Sequence, residues 1–247
     1  MRLWHTKTVW EKLAREDPFW AVLTDPDKSN NRWKLDEFFE TGRKTVDDNM
    51  VTIKAALPDL CLNTALDFGC GVGRLSQALG EHFHRVTGID VAAPMIELAE
   101  THNRAPEKIA YRHNPASDLR QLPDDSFDLV YSVITLQHIP PSLIRGYLRE
   151  FCRVCRPGGA IFFQLPATAP SKRWRFPWYL PTTWMRVKRF FLKTTAIQAE
   201  MSMNALKKDE VLAILAKNGV KTVQTSPYAA AGDLESFSYL AQKGVRS

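Results

Sequence analysis

One short segment holds the residues best able to do chemistry: Leu66-Asp67-Phe68-Gly69-Cys70-Gly71-Val72-Gly73-Arg74. An acid precedes three glycines at alternate positions, where an apolar strand turns into a helix. A dinucleotide fingerprint wants Gly-x-Gly-x-x-Gly, and its last position here is Arg74, so a pyrophosphate fits poorly. There is also no Lys-Ser/Thr pair to cradle a triphosphate. The arrangement suits a ligand with a cationic amino-acid end and a nucleoside end, because glycine lets the backbone pass close to it. Asp90, in Gly88-Ile89-Asp90 at the tip of the next strand, is placed to accept two hydrogen bonds from a ribose diol. Asp118, before Leu122-Pro123, is a candidate acceptor for an adenine amino group. Plainer roles stand beside these: Asp67 and Asp90 as helix caps, and Asp118 as a turn acid with Asn114 and Ser117 as rival polar groups.

The elements that must position these groups alternate in type. Strands are expected at Thr64 to Phe68, Val86 to Ile89, Lys108 to Arg112, Phe127 to Val133 and Ala160 to Leu165. Helices are expected at Arg74 to Glu81, Pro94 to about Asn103, and from after Pro140-Pro141 through Arg153, with Pro157-Gly158-Gly159 as the last turn. Such alternation predicts an α/β fold with a parallel, doubly wound sheet. A helix from Lys207 to Asn218 and two β-like runs, Val220 to Thr225 and Glu235 to Gln242, predict an antiparallel hairpin at the sheet edge. Residues 1–60 read as a helical, aromatic N-terminal cap, including a helix from Leu35 to Leu57. Residues 61–247 read as the core, interrupted after strand five by an insertion over 167–204.

Leu136-Gln137-His138-Ile139 and Arg153 to Gly159 complete a set of ordered signals with the glycine turn, Gly88-Ile89-Asp90, and Leu122-Pro123 with Ser126-Phe127-Asp128. Over about Asn63 to Leu165 the sequence resembles the class I S-adenosylmethionine-dependent methyltransferases, in particular the small-molecule branch similar to ubiquinone-biosynthesis methyltransferases. The resemblance implies a Rossmann-like, seven-stranded, mostly parallel sheet with an antiparallel last strand, and S-adenosylmethionine as cofactor. It implies that Asp67, Gly69, Cys70, Gly71 and Gly73 surround the methionine part, Asp90 with Val91 the ribose, and Asp118 with Leu119 the adenine. Ser132 on strand four joins the cofactor-binding set. His138 is the candidate catalytic base, with a cofactor contact as its alternative role.

The chain has 247 residues, 45% hydrophobic and 24% charged, and a net charge of +6. That composition belongs to a folded globular chain. No apolar run is long enough for a membrane span and no leader is visible. Four cysteines are too few for a disulfide framework, and Cys152-x-x-Cys155 lacks the partners of a zinc site, so no metal is expected and the home is expected to be cytoplasmic. The positive charge is local: Phe151 to Ala199 holds nine basic and no acidic residues, while the rest carries 24 basic and 27 acidic. Within it, residues 171–193 combine seven basic with seven aromatic side chains. Read as a basic amphipathic segment it could lie on an anionic membrane surface at the inner face, or serve as a lid on the acceptor cleft. The acceptor is expected to be a small molecule, a glycan or a lipid-linked compound, methylated on oxygen. An RNA-directed methyltransferase and a cofactor-binding interaction protein without transfer activity are the alternatives; no DNA partner is expected. A lid over the cofactor is expected from the N-terminal aromatics, with Trp20 and Phe39 as its contacts.

Overall fold

The computed structural model describes residues 3–168, 203–228 and 235–245. Helix α1 (Leu3–Glu16) leads into α2 (Pro18–Val22), whose first turn is set by Pro18 and by Asp17, which accepts from Trp20 N–H. Asp17 also accepts from Asn31 N–H at 3.0 Å, tying the following loop to this corner. The long α3 (Leu35–Ala56) ends just before Leu57 and Pro58, where proline forbids continuation.

Strands and helices then alternate: β1 (Thr64–Phe68), α4 (Arg74–His82), β2 (Arg85–Asp90), α5 (Ala93–Thr101), β3 (Ile109–His113), β4 (Phe127–Ser132), α6 (Pro141–Val154), β5 (Cys155–Pro166), α7 (Lys208–Lys217), β6 (Val220–Pro227) and β7 (Ser236–Lys243). They form one seven-stranded sheet in the order β3-β2-β1-β4-β5-β7-β6. The first five are parallel, and β7 runs antiparallel to both β5 and β6. The edge hairpin is therefore present, with β7 as its inner strand. The expected turn at Pro157-Gly158-Gly159 lies inside β5, with a register shift against β4 between Phe127 and Leu129 and Gly158 at φ 80°.

Both faces of the sheet are covered, so β1 and β4 are buried almost throughout. One face buries Phe68, Val130, Ile161 and Phe163 against α6 and α7, and the other buries Ala65, Leu129 and Tyr131 against α3 and α4. A third cluster seats α1 and α2 over α3 and α5 through Leu13, Ala21, Phe38, Phe39 and Met95. The buried Asp128 carboxylate pins the far end of the sheet, accepting from Asn63 N–H, Thr64 N–H and Thr64 Oγ1 and pairing with Arg156. The strand order reverses between β1 and β4. That switch point opens a crevice at their carboxyl ends, where open α/β sheets bind ligands.

Residues 169–202, which hold most of the expected basic insertion, lie outside the described residues. Among the described residues no helix is long and apolar enough to cross a membrane, and no group of three or more His, Cys, Asp or Glu side chains could hold a metal ion. Cys152 and Cys155 are buried and free, and burial pushes both thiols up to about 12.

Candidate active site

A cleft sits at the switch point, lined by Phe68 and Val133 at the ends of β1 and β4. Its floor is the glycine turn. Gly69, Gly71 and Gly73 have φ of 75°, 53° and 83°, a conformation that side chains resist. A Cβ on Gly69 would lie 2.0 Å from Thr135 Cγ2, and one on Gly71 2.7 Å from Val22 Cγ2. The turn hangs from β2: Gly69 N–H and Cys70 N–H both donate to Ile89 O.

Asp90 lines this cleft together with Val91. One carboxylate oxygen accepts from Gly71 N–H at 3.0 Å and the other from Ala92 N–H at 2.8 Å. Burial raises its pKa and those two amides oppose the rise. The glycine turn and the acid after β2 are thus one hydrogen-bonded unit.

Asp67 lies deeper. It is 1% exposed, outside the cleft wall, and accepts from Ser76 Oγ at 2.6 Å. Burial pushes its carboxyl up to about 6, against the Ser76 hydrogen bond and the nearby Arg74 charge. Gly73 is also behind the wall, where a Cβ would meet the Tyr111 hydroxyl at 2.3 Å.

The structure thus brings Gly69, Cys70, Gly71, Asp90, Val91 and His138 together around one cleft. It does not bring Asp118, Leu119 or Ser132 to the wall among the described residues. Asp118 pairs with Arg120 at 2.8 Å. Leu119 is buried in the core, its N–H donating to Glu150. Ser132 is fully buried, its hydroxyl on Phe68 O at 3.0 Å, where it ties β4 to β1. Asn114 does line the cleft, and its side chain donates to Asp118 O, so it shapes the loop that carries Asp118.

The roof comes from the N-terminal helices. Leu3, Thr6 and Trp10 of α1 and Val22 of α2 line the cleft; Trp20 and Phe39 do not. Trp20 is instead buried with Nε1 donating to Asp25 O at 2.8 Å, and Phe39 packs on Phe38. Trp10 stands edge-on to His138 with ring centroids 5.2 Å apart.

Two of the lining residues hold a buried polar atom without a hydrogen-bond partner, Thr6 Oγ1 and Arg74 Nε. Arg74 is 2% exposed and begins α4; its Nη1 donates to Thr41 Oγ1 of α3 at 3.4 Å, so only part of the guanidinium is unmatched. Burial lowers the Arg74 pKa without a carboxylate in direct contact. Asp90 and Asn114 line the same cleft. Unmatched donors and a carboxylate among the lining residues suit a ligand carrying an α-carboxylate and a ribose diol.

Residues 66–163 match the family described as Methyltransferase domain. Over those residues the chain is similar to that family, and the matched stretch takes in the glycine turn, Asp90 and His138.

Among curated proteins, the ubiquinone biosynthesis O-methyltransferase of Hydrogenovibrio crunogenus is 35% identical over 102 residues, covering 40% of this chain and 41% of that protein. The counterpart from Xanthomonas campestris pv. campestris is 31% identical over 122 residues, 49% of each. The matches thus span less than half the length of these relatives.

Among solved structures, the N-methyltransferase NodS from Bradyrhizobium japonicum WM9, in complex with S-adenosyl-L-homocysteine, aligns at TM-score 0.63 and 17% identity over 97% of this chain and 98% of that one. Magnesium protoporphyrin IX methyltransferase from Synechocystis PCC 6803, also with S-adenosylhomocysteine, aligns at 0.62 and 18% over 97% and 100%. At these identities the likeness is one of fold.

Proposed function

We propose that this chain transfers the methyl group of S-adenosylmethionine to an oxygen of a small-molecule, glycan or lipid-linked acceptor. The observation that carries the reading is the cleft at the β1/β4 switch point, with Asp90 bound to the glycine turn and the unmatched Arg74 Nε and Thr6 Oγ1 among its lining residues. Asp90 is assigned to the ribose diol, Gly69 to Gly71 to the methionine backbone, and Arg74 with Thr6 to its carboxylate. Asp67 supports the turn from beneath through Ser76.

The cofactor supplies an activated methyl on a sulfonium, so the protein's work is alignment and proton removal. His138 is assigned the acceptor's proton, since it is the one histidine on the wall among the described residues. Trp10 and Leu3 keep water from the cleft. Sequence similarity to O-methyltransferases of ubiquinone biosynthesis favours oxygen as the target atom.

The reading is tested by calorimetry with S-adenosylmethionine and S-adenosylhomocysteine. One site per chain is expected, and Asp90→Ala should weaken both ligands ten-fold or more, because hydrogen bonds to a charged group contribute about 1.5–3 kcal/mol each. Unchanged affinity would remove the ribose assignment. Labelled cofactor offered lipid, glycan and RNA pools should mark the first two; label in RNA alone would favour the RNA-directed alternative, and none in any pool the interaction module.

For the acceptor side, the acid-free run 171–193 supports placement at an anionic membrane surface, each basic residue contributing roughly 1 kcal/mol there. Co-sedimentation with anionic but not neutral vesicles at low salt, lost on changing Arg186, Arg189 and Lys193 to Glu, is the expected result. Recovery in the supernatant with both vesicle types would leave that run as a lid.

A further inference from the structure

Behind His138 runs a chain of buried amides whose direction can be read from one end. Ile134 N–H, a backbone group that can only donate, points at Gln164 Oε1 at 3.2 Å. That fixes which end of the Gln164 amide faces β4, and leaves Gln164 Nε2 to donate to Ser236 Oγ at 2.5 Å and to Gln137 Oε1 at 3.3 Å. With its oxygen so engaged, Gln137 presents Nε2 to His138 Nε2 at 3.2 Å. Gln164 is 1% exposed, Ser236 4%, His138 8% and Gln137 9%. Reversing either amide would set donor against donor in a buried place, where an unmatched polar group costs most. Asn204 N–H holds the Gln137 main chain by its carbonyl at 2.6 Å, which leaves the oxygen of the side-chain amide to be held by Gln164 alone among the described residues.

We propose that Gln164 and Gln137 are positioning residues that fix His138 in one neutral tautomer, with the proton on Nδ1 and the lone pair on Nε2. An amide NH₂ can only donate, so the imidazole nitrogen it faces must accept. The direction is set by the main-chain amide of Ile134 on the strand-four loop, acting through Gln164, 30 residues on in sequence. The catalytic meaning rests on the methyl-transfer reading above. Nε2 takes the acceptor's hydroxyl proton as the new carbon–oxygen bond forms and the methyl–sulfur bond breaks. The products are an imidazolium, a methyl ether and a neutral thioether. Taking that proton turns Nε2 into a donor, so the Gln137 amide must swing off it, and the relay sets what that displacement costs. The relay ensures that the nitrogen that takes the proton is the same one in every molecule.

The experiment is long-range proton–nitrogen correlation NMR on the full-length, ¹⁵N-labelled protein at about pH 8, above the ordinary imidazole range near ~6.5. The chain has six histidines, and the His138 signals are assigned by their loss in His138→Asn. The expected wild-type pattern is that of the Nδ1–H tautomer; an Nε2–H pattern overturns the proposal. Gln137→Glu faces Nε2 with an acceptor while keeping the bond from Gln164, so His138 should become protonated on Nε2. An unchanged pattern in that variant overturns the proposal too. Gln164→Met frees Gln137 to turn, and a mixture of tautomers is expected; a single Nδ1–H pattern there removes Gln164 from the relay. Because the wild-type spectrum decides the tautomer by itself, a variant that fails to fold does not shield the proposal. No cofactor or acceptor is needed, so this outcome is independent of the Asp90 calorimetry.

Discussion

The floor and the roof of the cleft are built on opposite plans. The floor is main chain: three left-handed glycines, two amides on Ile89 O, and Asp90 bridging the turn to the next helix. Its polar groups are satisfied before any ligand arrives, so it holds its shape unaided. The roof is side chains on α1 and α2, mostly apolar, and its one hydroxyl on the wall, Thr6, lacks a partner. Shape set by backbone tolerates few substitutions, whereas a wall of side chains yields by degrees.

Gly71 is where the two plans meet, and it tests the comparison most severely. Gly71→Val forces a left-handed φ on a β-branched residue and drives its Cβ toward Val22 of the roof. Strain of about 1–3 kcal/mol plus the clash should lower cofactor affinity by more than about 100-fold in calorimetry, with the circular dichroism of a folded chain. Near-normal binding would mean that the floor is not preorganised.

Asp67 tests the floor from below. Its folded carboxyl is raised to about 6, against about 3.9 in an unfolded chain. From about pH 4 to pH 6 the folded state therefore keeps a proton that the unfolded state has lost. This group's contribution to stability falls as pH rises through that window, and the whole deficit stands above it. Asp67→Asn keeps an acceptor for Ser76 and removes the charge. It should be more stable than the parent by up to about 3 kcal/mol at pH 7 and by little near pH 4. Denaturant melts at the two pH values check this, and a constant difference would break the assignment.

The roof should give the smallest effect. Trp10→Ala removes an edge contact and part of a wall, and aromatic contacts of this kind contribute about 0.5–1.5 kcal/mol. Cofactor affinity measured by calorimetry should fall by no more than about ten-fold. A loss as large as that from Gly71→Val would place the roof on the same footing as the floor.

The two regions also differ in how far the sequence disclosed them. Strand β1 falls on the expected residues, and α3 begins where expected and stops one residue earlier. Glycines, prolines and apolar runs act locally, so such elements can be read locally. The roof could not be resolved to its residues, because α1 to α3 carry aromatics on several faces. Whether Trp10 or Trp20 meets the cleft depends on how the helices sit, which non-local packing decides. Asp118 shows the same limit: its type suited a ligand, but its neighbour Leu119 is held by Glu150, 31 residues away on α6. Gln164 was invisible for a related reason, since a glutamine in an apolar strand carries no signal until its partners on the loop after β4 and on β7 are known.

Ile134 ties heat resistance to site geometry. It is a β-branched residue at φ 62°, it lines the cleft, and its amide starts the relay to His138. A torsion of that kind costs roughly 1–2 kcal/mol, worth several degrees of melting temperature in a chain of this size. An engineer selecting only for durability would find Asn or Gly attractive there, and would remove part of the cleft with the strain. Endurance and shape of the pocket draw on the same residue in opposite directions.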